Sequence, residues 1–185
     1  DSAMHIRLEI KDEAGNIVRT FSSKEEKKLK YNGAPPPPPA LSKAKGMNRF
    51  VWDMRYPSLP GVPEVYMAIS YKGHKASPGK YTLTLYMGDK TASTDATILP
   101  NPLYRTTPAE YAEYHAVMLD MENKAIKMLE MVNTIHTKRL QLEHIIAELP
   151  EGAAHANVKA AALALAQKMK AWGDDMVQIF CQAYR

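Results

Sequence analysis

A chain of 185 residues, 45% hydrophobic and 24% charged, is long enough for one or two compact domains, and its balance excludes disorder as the default. The net charge of +4 is uneven: residues 1–106 carry 16 Lys and Arg against 10 Asp and Glu, whereas residues 107–185 carry 8 against 10. No basic stripe interleaved with aromatics accompanies the surplus, so nucleic acid is not an expected partner.

Cys181 is the only cysteine, which rules out an intrachain disulfide framework and any cysteine-rich zinc site. No apolar run approaches the roughly 18 residues of a membrane span, so no membrane contact is expected, and no export-signal pattern opens the chain. Asp1 to His5 leads at once into strand-like sequence. A natural N-terminus is not expected there, and the missing signal carries no information about export.

In chain order, His5 to Lys11 alternates, with Ile6, Leu8 and Ile10 on one face and charged residues on the other, as in a half-buried strand. Asp12-Glu13-Ala14-Gly15-Asn16 reads as a hairpin turn, with Gly15 and Asn16 suited to positive φ, and Ile17 to Phe21 returns as a second strand. Residues 24–45 form a Pro-rich loop: a charged run, then five consecutive prolines, Pro35 to Pro39, which favour polyproline II and donate nothing to a sheet. Asn48 to Tyr56 is rich in strand formers and ends at Pro57. Glu64 to Tyr71 is a further extended segment. Ser77-Pro78-Gly79 is a turn signal leading into a strand over residues 80–87, and Gly88-Asp89 turns the chain into a last strand, Thr91 to Leu99. About six short strands punctuated by turns predict an antiparallel β-sandwich over residues 1–104.

The period then switches. Thr107 caps a helix, Pro108 takes its first position and Glu110 completes a capping box. Apolar residues follow three and four apart: Tyr111, Tyr114, Met118, Met121, Ala125, Met128, Val132, Ile135, Leu142, Ile146 and Leu149. Pro150 and Gly152 end this helix, and a second runs over about 154–184 with a seam of Val158, Ala162, Leu165, Met169, Trp172, Met176 and Phe180. The short connection predicts a long antiparallel α-helical hairpin over residues 105–185, with helices at about 107–149 and 154–184, so the chain as a whole is α+β. Leu119, Ile126 and Leu140 lie beside the main seam of the first helix. A stripe that wide needs a second covering element, and these three residues are the expected interaction surface, most simply between two hairpins of a homodimer.

No constellation for catalysis stands out. Asp53 and Glu64 are the one carboxylate pair to weigh for glycoside chemistry, and Asp53 reads better as a turn cap. Trp52 and Tyr81 read as sandwich core. His136 and His144 lie about 12 Å apart along one helix, too far to share an ion, and His115 lies further back. Met118, Met121, Met128 and Met131 read as core packing, and Cys181 as an apolar filler. No catalytic residue, metal ligand or cofactor is therefore expected.

Three stretches together resemble a known family. Residues 8–21 (Leu-Glu-Ile-Lys-Asp-Glu-Ala-Gly-Asn-Ile-Val-Arg-Thr-Phe), 46–57 (Gly-Met-Asn-Arg-Phe-Val-Trp-Asp-Met-Arg-Tyr-Pro) and 76–83 (Ala-Ser-Pro-Gly-Lys-Tyr-Thr-Leu) are similar, in this order, to the Ig-like module of flagellar hook-capping proteins. They are closer still to the module that follows exported sortilin-type β-propellers with BNR repeats. The resemblance implies an Ig-like or fibronectin III-like sandwich in a secreted, periplasmic or cell-surface protein, with the propeller upstream of Asp1 and more helix after Arg185. Its helices would then be cut from a larger bundle. The implied role is a non-catalytic accessory module that braces the propeller and mediates protein–protein assembly; the alternative is a carbohydrate-binding module beside a glycoside hydrolase. Exposure of Trp52, Tyr56, Tyr66 and Tyr71 discriminates between them, because a coplanar solvent-facing row suits glycan.

Overall fold

The computed structural model describes residues 4–31, 34–63, 65, 70–150 and 152–177, with Ala153 and Ala154 described by backbone alone. It is α+β. Four strands, β1 (Ile6–Asp12), β2 (Ile17–Ser22), β3 (Gly79–Met87) and β4 (Lys90–Ile98), precede a long helix, α1 (Pro108–Glu148), and a second, α2 (Ala153–Met176). The chain divides into two compact units. One comprises Asp1–Leu29, Pro35–Leu59 and Lys72–Asn123; the other comprises Lys30–Ala34, Pro60–Tyr71 and Lys124–Arg185.

The strands form one antiparallel sheet in the order β2-β1-β3-β4. The first hairpin closes as its sequence predicts: Asn16 N–H and its side-chain amide both donate to the Asp12 carboxylate, at 2.8 and 3.0 Å. Gly15 takes the positive φ of 85° that the turn requires; Asn16 does not share it. β4 is an edge strand whose polar run of Thr, Ser and Asp residues discourages pairing with another chain. One face of the sheet holds the core: Ile10, Val18, Phe21, Leu41, Ala76 and Tyr81 are buried, with Leu8, Phe50, Trp52 and Leu83 packed against them. Each fully buried aliphatic or aromatic of this kind contributes about 1.5–3 kcal/mol. On the opposite face the carboxylate of Glu9 is only 7% exposed, taken up by Arg7, Lys11 and the hydroxyl of Tyr86.

The segment Asn48 to Tyr56 is not the strand its composition predicts. Met54 adopts φ 55°, outside the extended region, and the Trp52 indole donates to the Arg55 carbonyl at 3.1 Å, so the chain bends where a ladder would begin. Pairing is confined to one antiparallel bridge, Arg55 with Lys75, closed by Tyr56 N–H to His74 O and Ala76 N–H to Met54 O. Residues 25–31 and 34–50, including Pro35 to Pro39, carry neither strand nor helix. Most of the extended segment expected over residues 64–71 lies outside the described residues.

α1 begins at the capping box that the sequence spells. Thr107 N–H and hydroxyl both reach the Glu110 carboxylate, at 2.7 and 2.9 Å, and Glu110 N–H reaches back to Thr107 Oγ1. Its covered face largely follows the apolar seam: of the eleven seam residues only Tyr114 and Met121 are exposed, the other nine being buried or half-buried. The protected face is wider than the seam and also takes in His115, Glu122, Ile126, Leu129, His136 and Arg139. Tyr114 and Met121, assigned to the seam by hydrophobicity, are 50% and 59% exposed. In α2 the seam residues Ala162, Met169 and Trp172 are protected, with Ala166 beside them, while Val158, Leu165 and Met176 are exposed. Residues 178–184 of the expected second helix, with Phe180 and Cys181, lie outside the described residues. Among the described residues no helix is long and apolar enough to cross a membrane.

Candidate functional site

The most organised polar cluster in the sheet-bearing unit is centred on His74. This imidazole has no exposed surface, and three neighbours account for its position. Gly73 precedes it at a point where a β-carbon would meet the Pro57 carbonyl oxygen at 2.5 Å and the Tyr56 carbonyl oxygen at 2.7 Å, so only glycine fits. Arg55 Nη1 donates to Gly73 O at 2.9 Å, and the Arg55–Lys75 bridge holds the two short segments side by side. The Tyr56 ring stacks on the His74 ring, with centroids 4.2 Å apart and planes within 8°.

Two groups from the first turns of α1 complete the cluster. The Glu122 carboxylate accepts the His74 backbone N–H at 2.6 Å and His74 Nδ1 at 2.7 Å. On the other side, His74 Nε2 lies 2.9 Å from His115 Nδ1. Residues 115 and 122 are seven apart, so they lie on one face of the helix. Because ionised Glu122 only accepts, His74 Nδ1 carries hydrogen and His74 Nε2 must share its remaining bond with His115. The far nitrogen of His115, Nε2, lies 3.5 Å from the Tyr56 hydroxyl, too long for a strong bond. Burial and the neighbouring His74 hold the His115 imidazole below its ordinary pKa of 6.5, against a smaller opposing pull from Asp12 and Glu122. Burial pushes the Tyr56 hydroxyl up to about 12, so it stays a phenol.

The cluster lies between two grooves of the same unit. One, of about 520 Å³, is lined by Tyr56, Pro78, Tyr81, Pro108, Tyr111 and His115. The other, of about 590 Å³, is lined in part by Arg55, His74, Tyr114, Met118 and Glu122. Among the described residues no group of three His, Cys, Asp or Glu side chains is arranged to hold a metal ion. Here the reason is geometric: Glu122 and His115 occupy opposite nitrogens of the same ring and do not converge on one point.

Of the residues singled out from sequence, Tyr56 and His115 join the cluster and Met118 lines one of its grooves; the others lie elsewhere. Asp53 is exposed, and Glu64 is outside the described residues. Tyr81 is buried, with the half-buried Trp52 edge-on to it at 5.9 Å. Tyr71 is buried within the second unit, and Tyr66 is outside the described residues. His136 is half-buried and His144 exposed; neither joins the cluster. Met118 and Met128 are half-buried, whereas Met121 and Met131 are exposed and so do not pack as core. Leu119 and Leu140 are exposed, at 38% and 48%, and Ile126 is half-buried. Sequence reasoning missed His74 and Glu122 and passed over His115. The available signal was the phase Tyr111, His115, Met118, Glu122, which a count of apolar residues alone skips.

The chain matches no protein-family model, no characterised protein and no solved structure.

Proposed function

We propose that this chain is a non-catalytic accessory module of a larger exported β-propeller protein, bracing the propeller and mediating protein–protein assembly through its helices. The observation that carries the reading is the large aliphatic surface left uncovered on α1 and α2: Leu119, Leu140, Ile145, Leu163 and Leu165 are each between 38% and 57% exposed. Exposed aliphatics in that number favour a protein partner, since monomers seldom leave large apolar patches open. In this reading the four-stranded sheet is one layer of an Ig-like or fibronectin III-like sandwich, and α1 and α2 form an antiparallel hairpin. The similarity of residues 8–21, 46–57 and 76–83 to the module behind sortilin-type BNR-repeat propellers supports a secreted, periplasmic or cell-surface setting.

The rival, a carbohydrate-binding module, needs aromatic faces turned to solvent. Trp52 is engaged with Arg55 and Tyr81, Tyr56 with His74, and Tyr71 is buried. That use of the rings favours the assembly reading. The test is a panel of soluble glycans, assayed by calorimetry, and of chromogenic glycosides and esters, assayed for turnover. Neither binding nor cleavage is expected. Saturable glycan binding, or hydrolysis lost in Asp53→Asn, would overturn the proposal.

A further inference from the structure

The Glu122–His74–His115 chain has a proton count built into its geometry. Glu122 fixes hydrogen on His74 Nδ1. The 2.9 Å gap between His74 Nε2 and His115 Nδ1 then has room for a single hydrogen, because one nitrogen must donate and the other accept. The chain closes with both rings neutral, His115 donating to His74. It closes equally with one added proton on the pair: a hydrogen on His115 Nε2 leaves His115 Nδ1 donating to His74 Nε2, and the reverse arrangement has His74 donating. It does not close with two. When both rings are imidazolium, both facing nitrogens carry hydrogen, and two positive charges meet across a 2.9 Å contact in which His74 has no exposed surface.

We infer that this chain is an acid-sensitive latch, which ties the first turns of α1 to the segment around Gly73–Ala76 and lets go when both His74 and His115 are protonated. The groups facing His115 are few: His74 and Tyr56 across the helix, Glu122 and Tyr111 on its own helix, and Asp12 at the end of β1. Tyr56 stays uncharged at any relevant pH, so it offers the imidazolium no counter-charge. Glu122 has both oxygens committed to His74. Asp12 has its carboxylate committed to Asn16. Both carboxylates pull His115 towards its charged form, but burial and the neighbouring His74 outweigh them.

The sign follows. A histidine whose folded pKa lies below 6.5 binds fewer protons folded than unfolded between those two values. Its contribution is fully present above pH 6.5, is lost as the pH falls towards the lowered value, and levels off below that.

The test uses the whole chain. Wild type and His115→Asn, whose amide keeps a donor near the position of Nδ1, are melted at about pH 7.5 and about pH 5. The acid-induced fall in melting temperature should shrink by at least about half in His115→Asn, while His136→Asn and His144→Asn leave it unchanged. An undiminished fall in His115→Asn, or no fall in wild type, overturns the latch. If His115→Asn does not fold, NMR of the wild type decides the question. The His74 amide should begin to exchange with the same pH midpoint at which the second of the two rings titrates, and titration of both rings with the His74 amide still protected would sink the inference.

Discussion

Gly73 lies so close to Pro57 that a β-carbon on it would stand 2.5 Å from the Pro57 carbonyl oxygen, with the Tyr56 carbonyl only slightly farther away. Both obstacles are backbone, which cannot step aside as the end of a flexible side chain can. Gly73→Ala should therefore separate the two short segments, lose the Arg55–Gly73 hydrogen bond and disturb His74. A cost of about 2–4 kcal/mol in chemical denaturation is expected. A loss under about 0.5 kcal/mol would mean that the close approach is absent.

The start of α1 offers a cleaner test, because Thr107 is exposed and its role is local. Thr107→Ala removes a capping acceptor and should cost about 1 kcal/mol, with Thr107→Ser largely restoring it. Glu110 adds a pH dependence. Hydrogen bonds from Thr107 hold its carboxyl below the ordinary 4.5, so its contribution is present above that value and fades as the pH falls through the lowered one. Glu110→Gln should flatten that acid limb. An unchanged limb would show that the contacts do not survive in solution.

Trp52 joins the loop to the sheet core through its edge-on contact with Tyr81, and its indole N–H closes the loop on itself at the Arg55 carbonyl. It is half-buried, so Trp52→Ala should cost less than full burial implies, about 2–4 kcal/mol, and Trp52→Phe about half that. An unchanged melting temperature in Trp52→Ala would place the ring in solvent and revive the carbohydrate reading.

Tyr71 makes the opposite forecast. Among the described residues its buried hydroxyl makes no hydrogen bond of good geometry, only an approach to the Val62 backbone. Tyr71→Phe removes a desolvated polar atom and keeps the ring, so stability should hold or rise by up to about 1 kcal/mol. Destabilisation beyond about 1 kcal/mol would reveal a partner for that hydroxyl.

The strands β1 to β4 and the limits of α1 were legible because each has a local cause: alternation, an Asx-type turn, a capping box. The segment around Trp52 was not, since strand formers there are overruled by a positive φ at Met54 and by the indole bond to Arg55. The helix seam was legible except near the start of α1. There hydrophobicity ranks Tyr114 and Met121 above His115 and Glu122, yet the polar pair is the engaged one, because buried His74 takes an acceptor on one nitrogen and a second imidazole on the other. His74 itself lies in a loop of no period, 41 residues from His115, and only the tertiary structure brings them together.

The central claim, that this chain works by assembling through exposed helix surface, is tested most directly by its molar mass in solution. Light scattering over a range of micromolar concentrations should give a mass approaching twice 20.7 kDa, reduced towards the monomer by Leu140→Glu or Ile126→Glu without loss of helicity. A mass that stays at 20.7 kDa as the protein is concentrated would contradict the account.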